Sequence, residues 1–118
     1  MNRTVLKKEI RKNCIELLKE KNYVSSVDLL MRLNYLSKSD YENWRFGKVP
    51  FLEKVCKTNL GKLSYINKCL QGISKEMNLK ASWTAYMKYG KGPKEKLRFS
   101  KSNNKHIEER YATHYVRK

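Results

Sequence analysis

Acidic side chains are scarce in this chain of 118 residues: 11 Asp and Glu stand against 27 Lys and Arg, a formal net charge of +16. The excess grows along the chain, from +4 over residues 1–40 to +5 over 41–80 and +7 over 81–118. Self-repulsion of that size opposes compaction, and a polyanion relieves it. Nucleic acid is the commonest such partner, followed by acidic membranes and acidic proteins. Long apolar runs are also missing. No stretch approaches the roughly 20 apolar residues of a helical membrane span, and the charged first twelve residues do not read as a secretory signal. Cysteine is sparse and odd in number: Cys14, Cys56 and Cys69 form no Cys-x-x-Cys pair and no Cys/His set spaced for zinc. Reduced thiols in a cytoplasmic protein are therefore expected. Two prolines and five glycines leave no low-complexity linker, and no internal repeat is evident. A phosphate loop, a nucleophile elbow and a dinucleotide fingerprint are all absent. We expect no cofactor, no metal and no small-molecule ligand.

What is present argues for one folded domain, residues 1–118. A hydrophobic fraction of 40%, with eight Tyr, three Phe and two Trp, supports a core and argues against disorder. Leu6, Ile10, Cys14 and Leu17/Leu18 recur at helical steps and predict a helix over residues 4–21, with Asn22 as its stop. Its polar remainder fits a core-packing helix better than one lying on a membrane. A second helix starts at Ser25, which forms an acidic variant of the capping box with Asp28, while Val24 and Leu29 suit a hydrophobic staple. Val27, Leu30, Met31 and Leu33 face inward, and the helix ends near Asn34. A third, short helix is expected from the capping box Ser39-Asp40-Tyr41-Glu42 to Arg45, closed by Gly47. Pro50 begins a further short segment, 50–57.

The longest amphipathic helix runs over residues 59–78 from the cap Asn59, with Leu63, Ile66, Leu70, Ile73 and Met77 as its apolar stripe. Ser64, Lys68, Gln71 and Lys75 lie on another face. They are small, amide and cationic groups suited to entering a groove, where Gln bonds adenine edges and Lys bonds guanine or phosphate. A solvated helix face carries the same residue types. A β-hairpin is then expected over residues 83–100, turning at Gly90-Lys91-Gly92-Pro93. Trp83, Ala85, Met87 and Tyr89 alternate with Thr84, Tyr86 and Lys88, and on the return strand Leu97 and Phe99 alternate with Lys96, Arg98 and Ser100. The apolar set, Trp83, Met87, Leu97 and Phe99, is expected to face the core. Trp44 and Trp83 are expected to anchor that core. Residues 105–116 carry Ile107, Tyr111 and His114/Tyr115 at helical spacing, although 111–116 suits an extended strand equally well.

A helix followed by a basic hairpin is the layout of a winged helix, a form of helix-turn-helix domain. From Tyr86 to Lys101 the hairpin carries six cations (Lys88, Lys91, Lys94, Lys96, Arg98 and Lys101) and one acid, Glu95. In this reading the six cations meet phosphates, Ser64, Lys68, Gln71 and Lys75 approach the groove, and Tyr86 is placed to stack on an unpaired base or to partner a cation across the strands. A metal-dependent nuclease built from His106, Glu108 and His114 is the weaker reading, because the two histidines are turned about 80° apart on a helix.

Four segments carry a resemblance. They are Asp40-Tyr41-Glu42-Asn43-Trp44-Arg45-Phe46-Gly47-Lys48-Val49-Pro50, Ser82-Trp83-Thr84-Ala85-Tyr86, Leu97-Arg98-Phe99-Ser100-Lys101, and Ile107-Glu108-Glu109 through Tyr111-Ala112-Thr113-His114-Tyr115. Together they resemble a family of small uncharacterised bacterial proteins, over most of the chain from about residue 25. The resemblance implies one complete small protein and brings no activity or site residue with it.

The expectation is a mainly helical α+β domain, a winged-helix-like bundle of four to five helices with a two-stranded β-hairpin. Its helical part spans about 4–78, the hairpin about 83–100 and the last segment about 105–116. Its expected role is non-catalytic binding of nucleic acid in the cytoplasm, duplex DNA before RNA, by helix 59–78 and wing 86–101, with use as a regulator among the outcomes. The rivals are a structured-RNA or ribosome-associated binder and an adaptor for an acidic protein.

Overall fold

The computed structural model describes residues 2–118. Helix α1 spans Arg3–Lys21. Asn2 starts it by accepting the Val5 N–H, and Asn22 ends it in the left-handed region (φ 65°) with its own N–H bonded to the Leu18 carbonyl. Leu6, Ile10, Cys14, Leu17 and Leu18 are buried, the stripe that the spacing gives. Strand β1 (Tyr23–Ser25) follows at once. Ser25 then caps α2 (Ser26–Arg32), accepting the Asp28 N–H and donating its hydroxyl to the Asp28 carboxylate. Val24 and Leu29 are both fully buried beside this cap.

Helix α3 spans Lys38–Arg45, and its cap is Ser37, not Ser39. Two overlapping boxes compete here, and the earlier one, with Asp40 three residues on, lengthens the helix at its N-terminus. Residues after Pro50 make only a 3-10 turn, Leu52–Val55. Its ladder partners lie elsewhere: the Leu52 and Glu53 N–H groups donate to the Arg98 and Phe99 carbonyls. Helix α4 spans Leu60–Glu76 from the Asn59 cap, with Leu63, Ile66, Leu70 and Ile73 buried and Met77 partly so.

The sheet departs most from expectation. It is antiparallel and three-stranded, in the order β1-β3-β2, with β2 at Lys80–Trp83 and β3 at Thr113–Val116. Residues 105–116 therefore divide: α5 (Lys105–Ala112) gives way to β3, which pairs Tyr23 and Lys80 alike with Val116. The fold is thus α+β and mainly helical, with five α-helices among the described residues.

The expected two-stranded hairpin shrinks to one bridge, Met87 with Lys96, flanked by Lys88 N–H to the Glu95 carbonyl and Leu97 N–H to the Tyr86 carbonyl, both at 2.8 Å. Its outgoing arm also has the opposite phase. Tyr86 is buried and Trp83 is 56% exposed. The chain leaves the sheet at Thr84, so the alternation does not run unbroken from Trp83 to Tyr89, and a one-residue phase change turns every side chain over. Tyr86 takes the inner place because its ring has both apolar and polar partners there. It packs 5.5 Å from Trp44 and edge-on to Phe99 at 5.4 Å, and its hydroxyl lies 3.0 Å from His114 Nε2. Trp44 is wholly buried and donates its indole N–H to the Arg98 carbonyl. Phe99 stacks on Tyr111, completing an aromatic core between the sheet and α3. On the return arm Leu97 and Phe99 face inward as the pattern predicts.

Candidate nucleic-acid interface

Where the acidic side chains go decides which cations remain free. Glu16 and Glu20 pair with Arg32, Asp28 with Lys21, and Glu76 with Arg11. Glu53 and Glu108 are engaged inside the structure. Glu108 accepts the Phe99 N–H at 3.0 Å, the Ser100 N–H at 2.7 Å and the Ser100 hydroxyl. Glu53 accepts the Lys101 N–H and the Tyr111 hydroxyl, whose pKa is pushed up, chiefly by burial. Among the described residues no cation of the hairpin has a carboxylate partner. Lys91, Lys94, Lys96 and Lys101 are exposed, and Lys88 is half-buried.

Two of the expected roles are corrected. Tyr86 is 7% exposed and enclosed by Trp44, Phe99 and His114, so it does not meet a base. Arg98 is half-buried and turned onto its own chain: Nε donates to the Ser100 carbonyl at 2.7 Å, a second nitrogen to the Lys101 carbonyl, and the guanidinium lies over Phe51. It fixes the return arm and is not free for phosphate. Lys96 leans over the exposed Trp83 ring at 5.0 Å, so Trp83 is a surface ring and not a core anchor.

Helix α3 holds the hairpin. Tyr89 N–H donates to the Arg45 carbonyl at 2.6 Å. The Arg45 guanidinium donates to the Met87 carbonyl (3.1 Å) and the Tyr41 hydroxyl (3.0 Å), and lies 4.0 Å from the Tyr89 ring centroid. Burial raises the Tyr41 pKa to about 12, so this phenol stays neutral. Arg45 has no carboxylate within ion-pair reach among the described residues, and three tyrosine rings surround it instead. Gly47, at φ 77°, lets the Lys88 methylenes run past the helix end, where a Cβ would lie 2.8 Å from Lys88 Cε. The hairpin is thus fastened to α3.

The α4 residues face a different groove. Ser64 and Lys68 line a cleft of about 460 Å³ with Arg3, Lys7 and Tyr65, between α1 and α4. Arg3 stands 4.7 Å over the Tyr65 ring. Lys75 is exposed and Gln71 half-exposed on the same helix. Ser64 also borders a second cleft, of about 530 Å³, where Lys101 and Arg110 flank Leu60, Ile107 and the buried Asn67.

His106, Glu108 and His114 do not converge. His106 is exposed, Glu108 holds the backbone at Phe99 and Ser100, and His114 is stacked on Tyr23 and bonded to Tyr86. Among the described residues no group of three His, Cys, Asp or Glu is placed to hold a metal ion, and no helix is long and apolar enough to cross a membrane.

Two residues of this surface escaped the sequence reading. Phe46 is 48% and Tyr89 40% exposed, meeting edge to face at 5.5 Å. The available signal was local: each is an aromatic set directly before a glycine, with lysines close by in Gly47-Lys48 and Gly90-Lys91. The chain matches no family model, no curated protein and no solved structure.

Proposed function

We propose that this chain is a non-catalytic nucleic-acid-binding protein and that the hairpin docked on α3 is its main binding surface. The observation that carries this reading is the crowding of cations on the hairpin: Lys88, Lys91, Lys94, Lys96 and Lys101 lie within fourteen residues of chain, and among the described residues none of them has a carboxylate partner. Like charges so closely spaced repel each other, and phosphates relieve that repulsion with release of counterions. Lys68 and Ser64, with Arg3 and Lys7, offer a second basic cleft to a long polymer.

Changing Lys91, Lys94 and Lys96 together to Ala tests the surface. Binding should weaken alike on all sequences, and the log–log salt slope on duplex should flatten by about 0.9 for each phosphate that is no longer neutralised. Unchanged affinity in that variant removes the hairpin from the interface. Weak binding to every polyanion, abolished at physiological salt, defeats the nucleic-acid reading and leaves an acidic protein as the partner to seek.

A further inference from the structure

We infer that Phe46 and Tyr89 form a stacking platform for unpaired bases, so that the hairpin surface prefers single-stranded nucleic acid to duplex. This rests on the nucleic-acid reading above and gives it a substrate class. The chain keeps its other phenylalanines, Phe51 and Phe99, at least half-buried, and Phe99 lies in the core. Phe46 and Tyr89 instead stand about half in water, at the joint where the basic hairpin meets α3.

Their support comes from α3. Tyr89 is tied to α3 through its backbone N–H and is backed by the Arg45 guanidinium at 4.0 Å, and Phe46 meets it edge to face at 5.5 Å. Arg45 is in turn bonded to the Met87 carbonyl, so ring, helix end and hairpin form one unit. A pre-set ring loses little conformational freedom when a base settles on it. The neighbours supply the charge: Lys48 follows Phe46 and Gly47, Lys88 passes Gly47, and Lys91 and Lys94 occupy the turn beyond Tyr89. Glu95 is the one acidic side chain of the hairpin.

An aromatic ring bordered by cations is matched to a strand whose base faces are open, because stacking needs a free π-face and the backbone needs neutralising. A duplex buries its base faces and offers this surface only phosphates. The lysines serve either polymer, whereas the rings serve only the unpaired one. That difference separates this inference from the broader reading.

The test uses the full chain, a short mixed-sequence single strand and the matching duplex, each strand end-labelled so that binding is read by fluorescence anisotropy. Phe46→Leu and Tyr89→Leu keep apolar bulk but remove a ring; Tyr89→Phe keeps the ring. Each Leu variant should weaken single-strand binding roughly tenfold or more, leave duplex binding unchanged, and differ from Tyr89→Phe, which should bind as the parent does. Single-strand affinity untouched by both Leu variants, equal losses on both polymers, or a parent preference for duplex would each overturn the platform. In those cases tight, salt-steep binding by the parent protein leaves the broader reading standing. A parent chain that binds neither polymer above low salt ends both.

Discussion

Replacing Glu108 with Ala should cost far more stability than its place on a short, largely exposed helix suggests. Its carboxylate accepts the Phe99 N–H, the Ser100 N–H and the Ser100 hydroxyl, and Phe99 and Ser100 are each only 1% exposed. Among the described residues these N–H groups have no other acceptor. Hydrogen bonds to a charged acceptor contribute about 1.5–3 kcal/mol each, and they do not add fully when they share one acceptor, so a loss of about 3–5 kcal/mol is expected. For a chain of 118 residues, an unfolding entropy of about 2.1 cal/mol/K per residue converts that loss to a fall in Tm of roughly 12–20 °C. Glu108→Gln retains acceptor oxygen but no charge, and should lie about halfway. Thermal unfolding by circular dichroism reads both. A fall of only a few degrees in Glu108→Ala would mean that the arm at residues 99 and 100 is held by the Leu52–Val55 turn alone, and that the carboxylate does not organise it. Loss of a metal-dependent nuclease activity in a variant that stays folded would instead return Glu108 to the catalytic role considered from its sequence neighbours.

Two further predictions come from buried and half-buried titratable groups. Burial holds the His114 pKa below its ordinary 6.5, against the pull of Asp28 and with Lys21 adding to the depression, while Tyr23 and Tyr86 enclose the ring. The folded chain therefore takes up this proton less readily than the unfolded one. The associated stability is fully present above the ordinary value and is lost as pH falls through the lower folded value; His114→Gln should flatten that part of a Tm-against-pH curve, and an unchanged curve would refute it. Burial also raises the Cys14 and Cys56 thiols to about 12. In the native protein both should alkylate slowly at about pH 8, and quickly once denatured; peptide mapping after a timed reaction tells the two states apart.

How far the sequence could be read follows from the range of each signal. Helices announce themselves locally: Ser25 with Asp28 and Asn59 with its apolar stripe set α2 and α4 within a residue or two. At Ser37-Lys38-Ser39-Asp40 two valid caps overlap, and only the surrounding packing chooses between them. The strands are three or four residues long and their partners are remote, so no window of sequence contains both sides of a ladder. The hairpin arm misled for another reason. Trp83 and Tyr89 on one phase, and Tyr86 on the other, all qualify as inward-facing aromatics, and the deciding features were Trp44, Phe99 and His114 from three other segments. The basic surface was legible because charge needs no partner to be seen. The exposed pair Phe46 and Tyr89 was not, because a sequence does not say which aromatics stay outside.

The central position of β3 bears on how the molecule is made. Strands β1 and β2 do not pair with each other; each finds its partner only in residues 113–116. During synthesis the partner of both strands is among the last of these residues to emerge, so neither ladder can close until the chain has grown past Val116. Ladders between such distant segments close slowly, and open edges are where nascent chains adhere to one another. Until residues 113–116 are in place neither β1 nor β2 has its ladder partner, so the closing of the whole sheet hangs on one four-residue segment near the chain's far end.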